Sequence, residues 1–300
     1  MSIELKNVTK QFGDSWVREI GRKKKSGEIK GIRALDNVTV TFESGKIYGL
    51  LGNNGAGKST MMNLISNRMY PTSGEILLDG DPVDTDAAQG KLFLMSEGNF
   101  IPEDMKVKAA FELAGGFYPG FDRAEAEALA KKFGLNPKSK VNKLSTGYGS
   151  IFKLVLALSC NTPYLLLDEP VLGLDAQHRE MFYKLLLEKY AQNECTVIFS
   201  THLIYEAAAM VEHAVIVREG RILKDAPTEE LTAGAFTVSG PASAVDSFTA
   251  GRTVLNETGI GGLKTAAVEG LAGNVPAGLE ISGLNLQDYF IALMEQEDRS

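Results

Sequence analysis

The sequence predicts an α/β protein built on a mostly parallel sheet covered on both faces, followed by a small α+β appendage. Three observations lead there. Continuous apolar runs at 46–51, 164–169 and 195–200 alternate with helix-compatible segments, as buried parallel strands do. The first of these runs leads directly into a glycine-rich turn and then a helix-compatible stretch. Near Gly234 the composition shifts, and residues 235–281 are rich in Gly, Ala, Val and Thr.

In chain order, residues 3–8 and 37–43 alternate apolar and polar positions, the period of a half-buried antiparallel sheet. Residues 46–51 form the first buried strand, and a helix is expected from Lys58. Residues 75–80 read as a short strand and turn, and 103–160 as mostly helical. Asp122 followed by Glu125 is a capping-box pattern ahead of an alanine-rich helix. Met181/Leu185 and Phe182/Leu186, each pair four apart, predict a helix over 176–191. A further helix is expected over 203–211 and a hairpin over 214–223, turning at Glu219-Gly220. Short strands with one short helix fill 235–281, and 283–297 reads as a closing amphipathic helix. The domain boundary is therefore placed at 234, with an accessory domain over 235–300.

Composition excludes several classes. The 300 residues are 44% hydrophobic and 23% charged, ordinary for a globular chain and unlike a disordered or collagenous one. The longest nearly unbroken apolar run, Leu154 to Cys160, is far too short to span a bilayer. The opening MSIELKNVTK lacks the apolar core of a signal peptide, so the expected location is the cytosol. Cys160 and Cys195 fit a reducing compartment, form no metal motif and read as small core hydrophobes. A net charge of −7 and a pI of about 5.2 argue against a nucleic-acid partner. The charge is uneven. Residues 235–300 carry three basic and eight acidic side chains, whereas 18–33 carry seven basic and two acidic.

The chemistry concentrates in four motifs. Gly52, Asn53, Asn54, Gly55, Ala56, Gly57, Lys58, Ser59 and Thr60 satisfy G-x-x-x-x-G-K-[ST]. Glycines let backbone N–H groups converge on a phosphate, and the following helix N-terminus adds positive potential. Lys58 is expected at the β- and γ-phosphates, and the Ser59 hydroxyl on Mg²⁺. Asp168 and Glu169 close the buried run 164–169, where Asp168 can hold a metal's water shell and Glu169 can polarise an attacking water. His202 follows a third strand end, where ligands collect in open α/β sheets. His178 and His213 lack such a setting and read as structural. Ser145, in Leu144-Ser145-Thr146-Gly147-Tyr148, is an N-cap candidate for the apolar helix that follows, whose N-terminus would attract anions.

Taken together, GNNGAGKST, LSTGY, LLLDEP, LGLD and STHL, in this order and at these spacings, resemble the ATP-binding subunit of ABC transporters over about residues 1–234. The resemblance implies a P-loop cassette with an antiparallel β subdomain and a helical subdomain over about 100–160. It implies ATP and Mg²⁺ as ligands, with Glu169 as catalytic base, His202 as switch histidine and Asp175 as D-loop acid. Phe12 matches the aromatic that stacks on adenine; read without the resemblance, it is a packed strand-end ring. Ser145, Thr146 and Gly147 would act on ATP held by a second cassette, which makes a homodimer or paired cassette the expected partner. The closing segment around Tyr289 and Phe290 looks like that of drug- and peptide-exporter cassettes.

Three departures stand out. LSTGY replaces the usual LSGGQ, and the bulkier Thr146 and Tyr148 are expected to slow or reshape the nucleotide sandwich. Ser96 stands where the family has a glutamine, making the neighbouring Glu97 a further candidate for the metal. An insert of about 17 residues around Lys23, Lys24 and Lys25 reads either as a solvated hairpin tip or as a contact with anionic lipid head groups or the permease. In the family, the region 106–122 meets the membrane subunit, and Phe111, Phe117, Tyr118 and Phe121 are candidates for that groove; they read equally as helix core.

The function expected from the resemblance is ATP hydrolysis that powers transport, in the export direction, through a separate permease at the inner face of the cell membrane. Two other readings stand beside it. One is a soluble ABC ATPase of ribosomes or DNA, which usually carries two cassettes or a long coiled-coil insert. The other is a regulatory protein that binds ATP and barely turns it over.

Overall fold

A computed structural model describes residues 1–13, 31–96, 98, 101–102, 104–193 and 195–299. Lys23, Lys24, Lys25 and Glu97 lie outside the described residues. The chain divides into two compact units, one of Met1–His202 with Val215–Asp225 and one of Leu203–Ala214 with Ala226–Ser300.

The first unit holds two sheets. β1 (Ser2–Phe12) buries Ile3, Leu5 and Val8 on one face, as its alternation requires. It runs antiparallel to β2 (Ile32–Glu43), with Leu5 opposite Val40, and to β4 (Ser73–Leu78), with Leu5 opposite Ile76. β5 (Asp81–Pro82) completes the order β2-β1-β4-β5. The second sheet joins β3 (Ile47–Leu51), β6 (Leu92–Met95), β7 (Tyr164–Asp168), β8 (Thr196–Ser200), β9 (His213–Arg218) and β10 (Arg221–Pro227) in the order β10-β9-β3-β8-β7-β6. β3, β8, β7 and β6 run parallel to their neighbours, and every residue of these four strands is buried. Continuous apolar runs fold this way because both faces of a parallel sheet are covered.

The helices of this unit are α1 (Lys58–Ile65), α2 (Asp86–Gln89), α3 (Val107–Phe117), α4 (Arg123–Lys132), α5 (Thr146–Ser159) and α6 (Ala176–Asn193). The Asp122 side chain accepts the Glu125 N–H at 2.9 Å and caps α4, as its pattern anticipates. β6 is four residues long and α2 is a single turn held by a Thr85 cap, both too short to leave a period in the sequence. The helix expected over 203–211 shrinks to α7 (Ile204–Ala207), after which 208–210 form a turn.

Asp79, in the turn after β4, ties the two sheets together. Its carboxylate accepts from the Tyr164 hydroxyl (2.5 Å), the Ser2 N–H (3.1 Å) and the Lys91 ammonium (2.8 Å). Burial works to raise its pKa, but Lys91 and Tyr164 outweigh burial and hold the carboxyl below the ordinary value of 3.8. A depressed folded pKa means stability that is present above 3.8 and lost as pH falls through the folded value. The expected result is that wild type loses more stability than Asp79→Asn between pH 5 and pH 3, as read by urea unfolding.

In the second unit, β11 (Ala235–Pro241) pairs antiparallel with β13 (Leu263–Glu269) and β14 (Glu280–Gly283), and β12 (Thr253–Ile260) pairs antiparallel with β13. α9 (Ala242–Thr249) covers β11 and β13, while α10 (Leu286–Arg299) packs on β12, α7 and α8 (Thr228–Ala233). Phe236, Val238, Val245, Ala266 and Val268 form its core. The Arg252 guanidinium lies 4.6 Å from the Phe248 ring centroid and donates to the carbonyls of Leu271 and Ala272.

Candidate functional site

The carboxyl ends of β3, β7 and β8 open onto one cleft of about 680 Å³. Its walls include Lys58, Ser59 and Thr60 after β3, Asp168 at the end of β7 with Glu169 after it, and His202 after β8. The strand order places β8 between β3 and β7, so residues far apart in sequence meet at one edge of the sheet.

The loop at 52–60 is shaped by close approach. A Cβ on Gly52 would lie 2.3 Å from the Val217 carbonyl oxygen. Gly57, at φ 113°, occupies a conformation that side-chain-bearing residues avoid, and a Cβ there would lie 2.5 Å from the Ala34 carbonyl. The hairpin turn at Gly220 buttresses the loop from outside by donating its N–H to Ala56 O (2.9 Å). Gly57 caps α1 without a side-chain hydrogen bond, so the first N–H groups of that helix stay open to a ligand. Lys58 is 6% exposed and donates to the carbonyls of Gly52 (2.7 Å) and Asn53 (3.1 Å). Burial lowers its pKa, and the carboxylates of Glu169 and Asp168 oppose that effect. Gly55 and Asn54 line the cleft with it.

The acids are fixed by a residue the sequence reading did not single out. The Ser200 hydroxyl donates to Asp168 Oδ1 at 2.7 Å and accepts the Glu169 N–H at 3.0 Å. Asp168 and Ser200 are direct partners in the β7–β8 register, so a hydroxyl at the end of an adjacent strand was the available signal. Glu169 has φ 48°, a left-handed backbone rarely held by a non-glycine residue. That turn brings its carboxylate to His202, whose Nδ1–H donates to Oε2 at 2.8 Å. The ring's other nitrogen, Nε2, then remains for a ligand.

Ser59 and Asp168 suit a divalent cation of the Mg²⁺ type. Among the described residues no group of three His, Cys, Asp or Glu side chains could hold a metal alone. One hydroxyl and one carboxylate instead match an ion that keeps phosphate oxygens and water as its other ligands.

Other sequence candidates sit elsewhere. Ser145 caps α5, accepting the Tyr148 N–H at 3.4 Å, but Ser145, Thr146 and Gly147 are not among the residues lining the cleft. Asp175 accepts from the His178 N–H and ring Nδ1, both at 2.9 Å, and these bonds hold its carboxyl below the ordinary value. His178 also stacks on Phe133. Phe12 is 40% exposed outside the cleft lining, with the Lys10 ammonium 5.3 Å from its ring centroid. Of the four aromatics at 106–122, Phe111 is buried against Phe121 and Phe152, so it is core. Phe117 and Tyr118 instead line a second groove of about 610 Å³ with Ser66, Arg68 and Gln89. The core reading holds for Phe111, which α3 turns towards Phe152 of α5, and the partly buried Phe121, beyond the end of α3, packs against it.

The ABC transporter family model matches residues 35–172. Nod factor export ATP-binding protein I of Burkholderia lata is 31% identical over 234 residues, covering 75% of this chain and 71% of the relative. The ABC transporter ATP-binding protein YtrB of Bacillus subtilis is 28% identical, covering 69% of this chain and 71% of the relative. The arabinose import ATP-binding protein AraG of Paraburkholderia xenovorans is 30% identical, covering 67% of this chain and 41% of that longer protein. Among solved structures, a dimeric ATP-binding cassette in a post-hydrolysis state with ADP and Pi matches with a TM-score of 0.64 and 26% identity, covering 75% of this chain and 98% of that one. No helix among the described residues is long and apolar enough to cross a membrane.

Proposed function

We propose, from the premise that this chain belongs to the ABC transporter family of ATP-binding proteins, that it hydrolyses ATP in the cleft above β7 and β8 and so powers a separate membrane permease. The observation that carries the reading is the meeting of Lys58, Ser59, Asp168, Glu169 and His202 in one cleft.

The chemistry divides among these residues. The open N–H groups of the 52–60 loop and α1 bind the β-phosphate. Lys58 exchanges its two carbonyl partners for phosphate oxygens and neutralises charge that builds in the transition state. Ser59 and Asp168 would hold Mg²⁺, which would supply further charge neutralisation at the phosphates. Glu169 takes the proton of the attacking water as the water oxygen bonds to the γ-phosphorus. The bond from that phosphorus to the bridging oxygen breaks, giving ADP and phosphate. His202 holds the Glu169 carboxylate through Nδ1–H and presents Nε2 to the γ-phosphate. Phe12 stacks on the adenine from the edge of β1.

Ser145, Thr146 and Gly147 serve a second copy or a paired cassette. They stand apart from this chain's own cleft, and the dimeric state of the structural neighbour supports the pairing. Asp175, ordered by His178 at the start of α6, belongs to the same dimer face. The permease takes the groove of Phe117 and Tyr118, which puts the cassette on the cytoplasmic face of the membrane. Export is the proposed direction, supported by the 31% identity to the Nod factor export protein.

Pull-down of the tagged chain from detergent-solubilised membranes tests the transport half. A polytopic membrane protein is expected at near-equal stoichiometry. Recovery of the chain alone, or with ribosomes, contradicts it. Phe117 is 72% exposed, so Phe117→Ala is expected to leave Tm within a few degrees. It is expected to weaken permease co-purification at least about tenfold, as removal of an aromatic anchor does.

A further inference from the structure

The P-loop helix α1 ends in a fixture that aims one side chain at the nucleotide cleft. Asn67 adopts φ 51° and donates its N–H to Leu64 O at 3.1 Å, while Arg68 N–H reaches Asn63 O at 2.9 Å. This pair of bonds is a Schellman motif, with Asn67 at the left-handed position. It fixes the Arg68 backbone ten residues after Lys58. The Arg68 guanidinium then donates to Ser96 Oγ at 2.7 Å and to Leu94 O at 3.0 Å, gripping the end of β6. From the other side, Lys153 of α5 donates to Ser96 O at 3.0 Å. Both Arg68 and Ser96 line the nucleotide cleft, and Arg68 also lines the groove of Phe117 and Tyr118.

We propose that Arg68 is a positioning residue of the hydrolytic site. It works through Ser96, which Arg68 and Lys153 together make a joint between the P-loop helix α1 and α5, the helix capped by Ser145. The hydroxyl accepts from a cation, which directs its own proton away from Arg68. Ser96 thus becomes an oriented donor at the cleft wall. A serine is too short to span from β6 to two helices; the long arms of Arg68 and Lys153 supply the reach. Movement of the nucleotide end of α1 is then passed to α5, and so to the signature residues that meet the partner's ATP. The proposal rests on the ATPase reading above.

The test is steady-state hydrolysis by Arg68→Ala, Ser96→Ala, the double variant and Arg68→Lys, with kcat and KM for ATP read separately. Arg68→Ala is expected to lower kcat about tenfold, the effect of losing one charge-assisted hydrogen bond, with KM within about twofold. The double variant is expected to be no slower than the slower single variant, because both act through one contact. Arg68→Lys keeps one donor and is expected to recover part of kcat. The Hill coefficient for ATP is expected to fall towards one in Arg68→Ala. Unchanged kcat in Arg68→Ala, or losses that multiply in the double variant, would overturn the proposal. If Arg68→Ala fails to fold, as judged by Tm, Ser96→Ala decides, and a wild-type kcat there overturns it. A wild-type chain without hydrolysis would overturn the ATPase reading itself, an outcome distinct from active wild type with an indifferent Arg68.

Discussion

Glu169→Gln is expected to lower phosphate release by about 10²–10⁴-fold, the usual contribution of a general base, while ATP still binds. The amide is nearly isosteric with the carboxylate. Its oxygen can still accept from His202 Nδ1, and the Glu169 N–H bond to Ser200 is a backbone contact that the substitution leaves in place. The left-handed turn at φ 48° therefore has the same supports. What disappears is the basic oxygen that takes the water's proton. Lys58, Ser59, Asp168 and the loop at 52–60 are untouched, so the complex stops before chemistry and the ATP-bound pair accumulates. Single-turnover phosphate release, read beside equilibrium binding of ATP with Mg²⁺, separates the two effects. Release within a few fold of wild type would remove Glu169 from the base role. Loss of binding would point to a structural one.

Lys58→Ala is expected to weaken nucleotide binding by about 100-fold or more, since one ammonium makes several charge-assisted contacts to a triphosphate. The folded chain should survive. Lys58 is buried and its ammonium has two carbonyls as partners, so burial already works against its charge. Removing it leaves Gly52 O and Asn53 O short of a donor but also removes a desolvated cation. Tm is expected to stay within a few degrees while titration with ATP fails to saturate. Wild-type affinity in Lys58→Ala would show that the phosphates sit elsewhere.

Much of this site can be read from the sequence because each part lies at the end of a buried strand. Runs such as Tyr48 to Leu51 and Leu165 to Leu167 mark strands, and the polar residues of the loop beyond each strand mark the sheet edge where ligands sit. Lys58, Asp168, Glu169 and His202 obey that rule and share one cleft. Ser200 escapes it because a serine closing a strand is common, and only the β7–β8 register reveals its bond to Asp168. Arg68 escapes it for another reason. Its reach to Ser96 depends on a left-handed Asn67, which sequence periodicity does not encode. The aromatics of α3 divide only when the packing is known, since Phe111 turns to Phe152 while Phe117 turns outward. Over 235–281, the one short helix among strands, α9, was readable from composition. The β12–β13 hairpin has a local mark in its Gly261-Gly262 turn, but the place of β11 between β13 and β14 was not readable, because pairing over such distances leaves none.

The central claim is that one chain holds half of each hydrolytic site, its own cleft and another's signature loop. Mixing Lys58→Ala chains with Ser145→Arg chains tests it most directly. Each variant alone is expected to be inactive, the first for lack of a working cleft and the second for lack of a working signature. Random pairing of equal amounts gives mixed dimers with one intact site, and activity is expected to recover to about a quarter of wild type. A Ser145→Arg chain that hydrolyses ATP at the wild-type rate on its own, or a mixture that recovers nothing, would contradict the composite site.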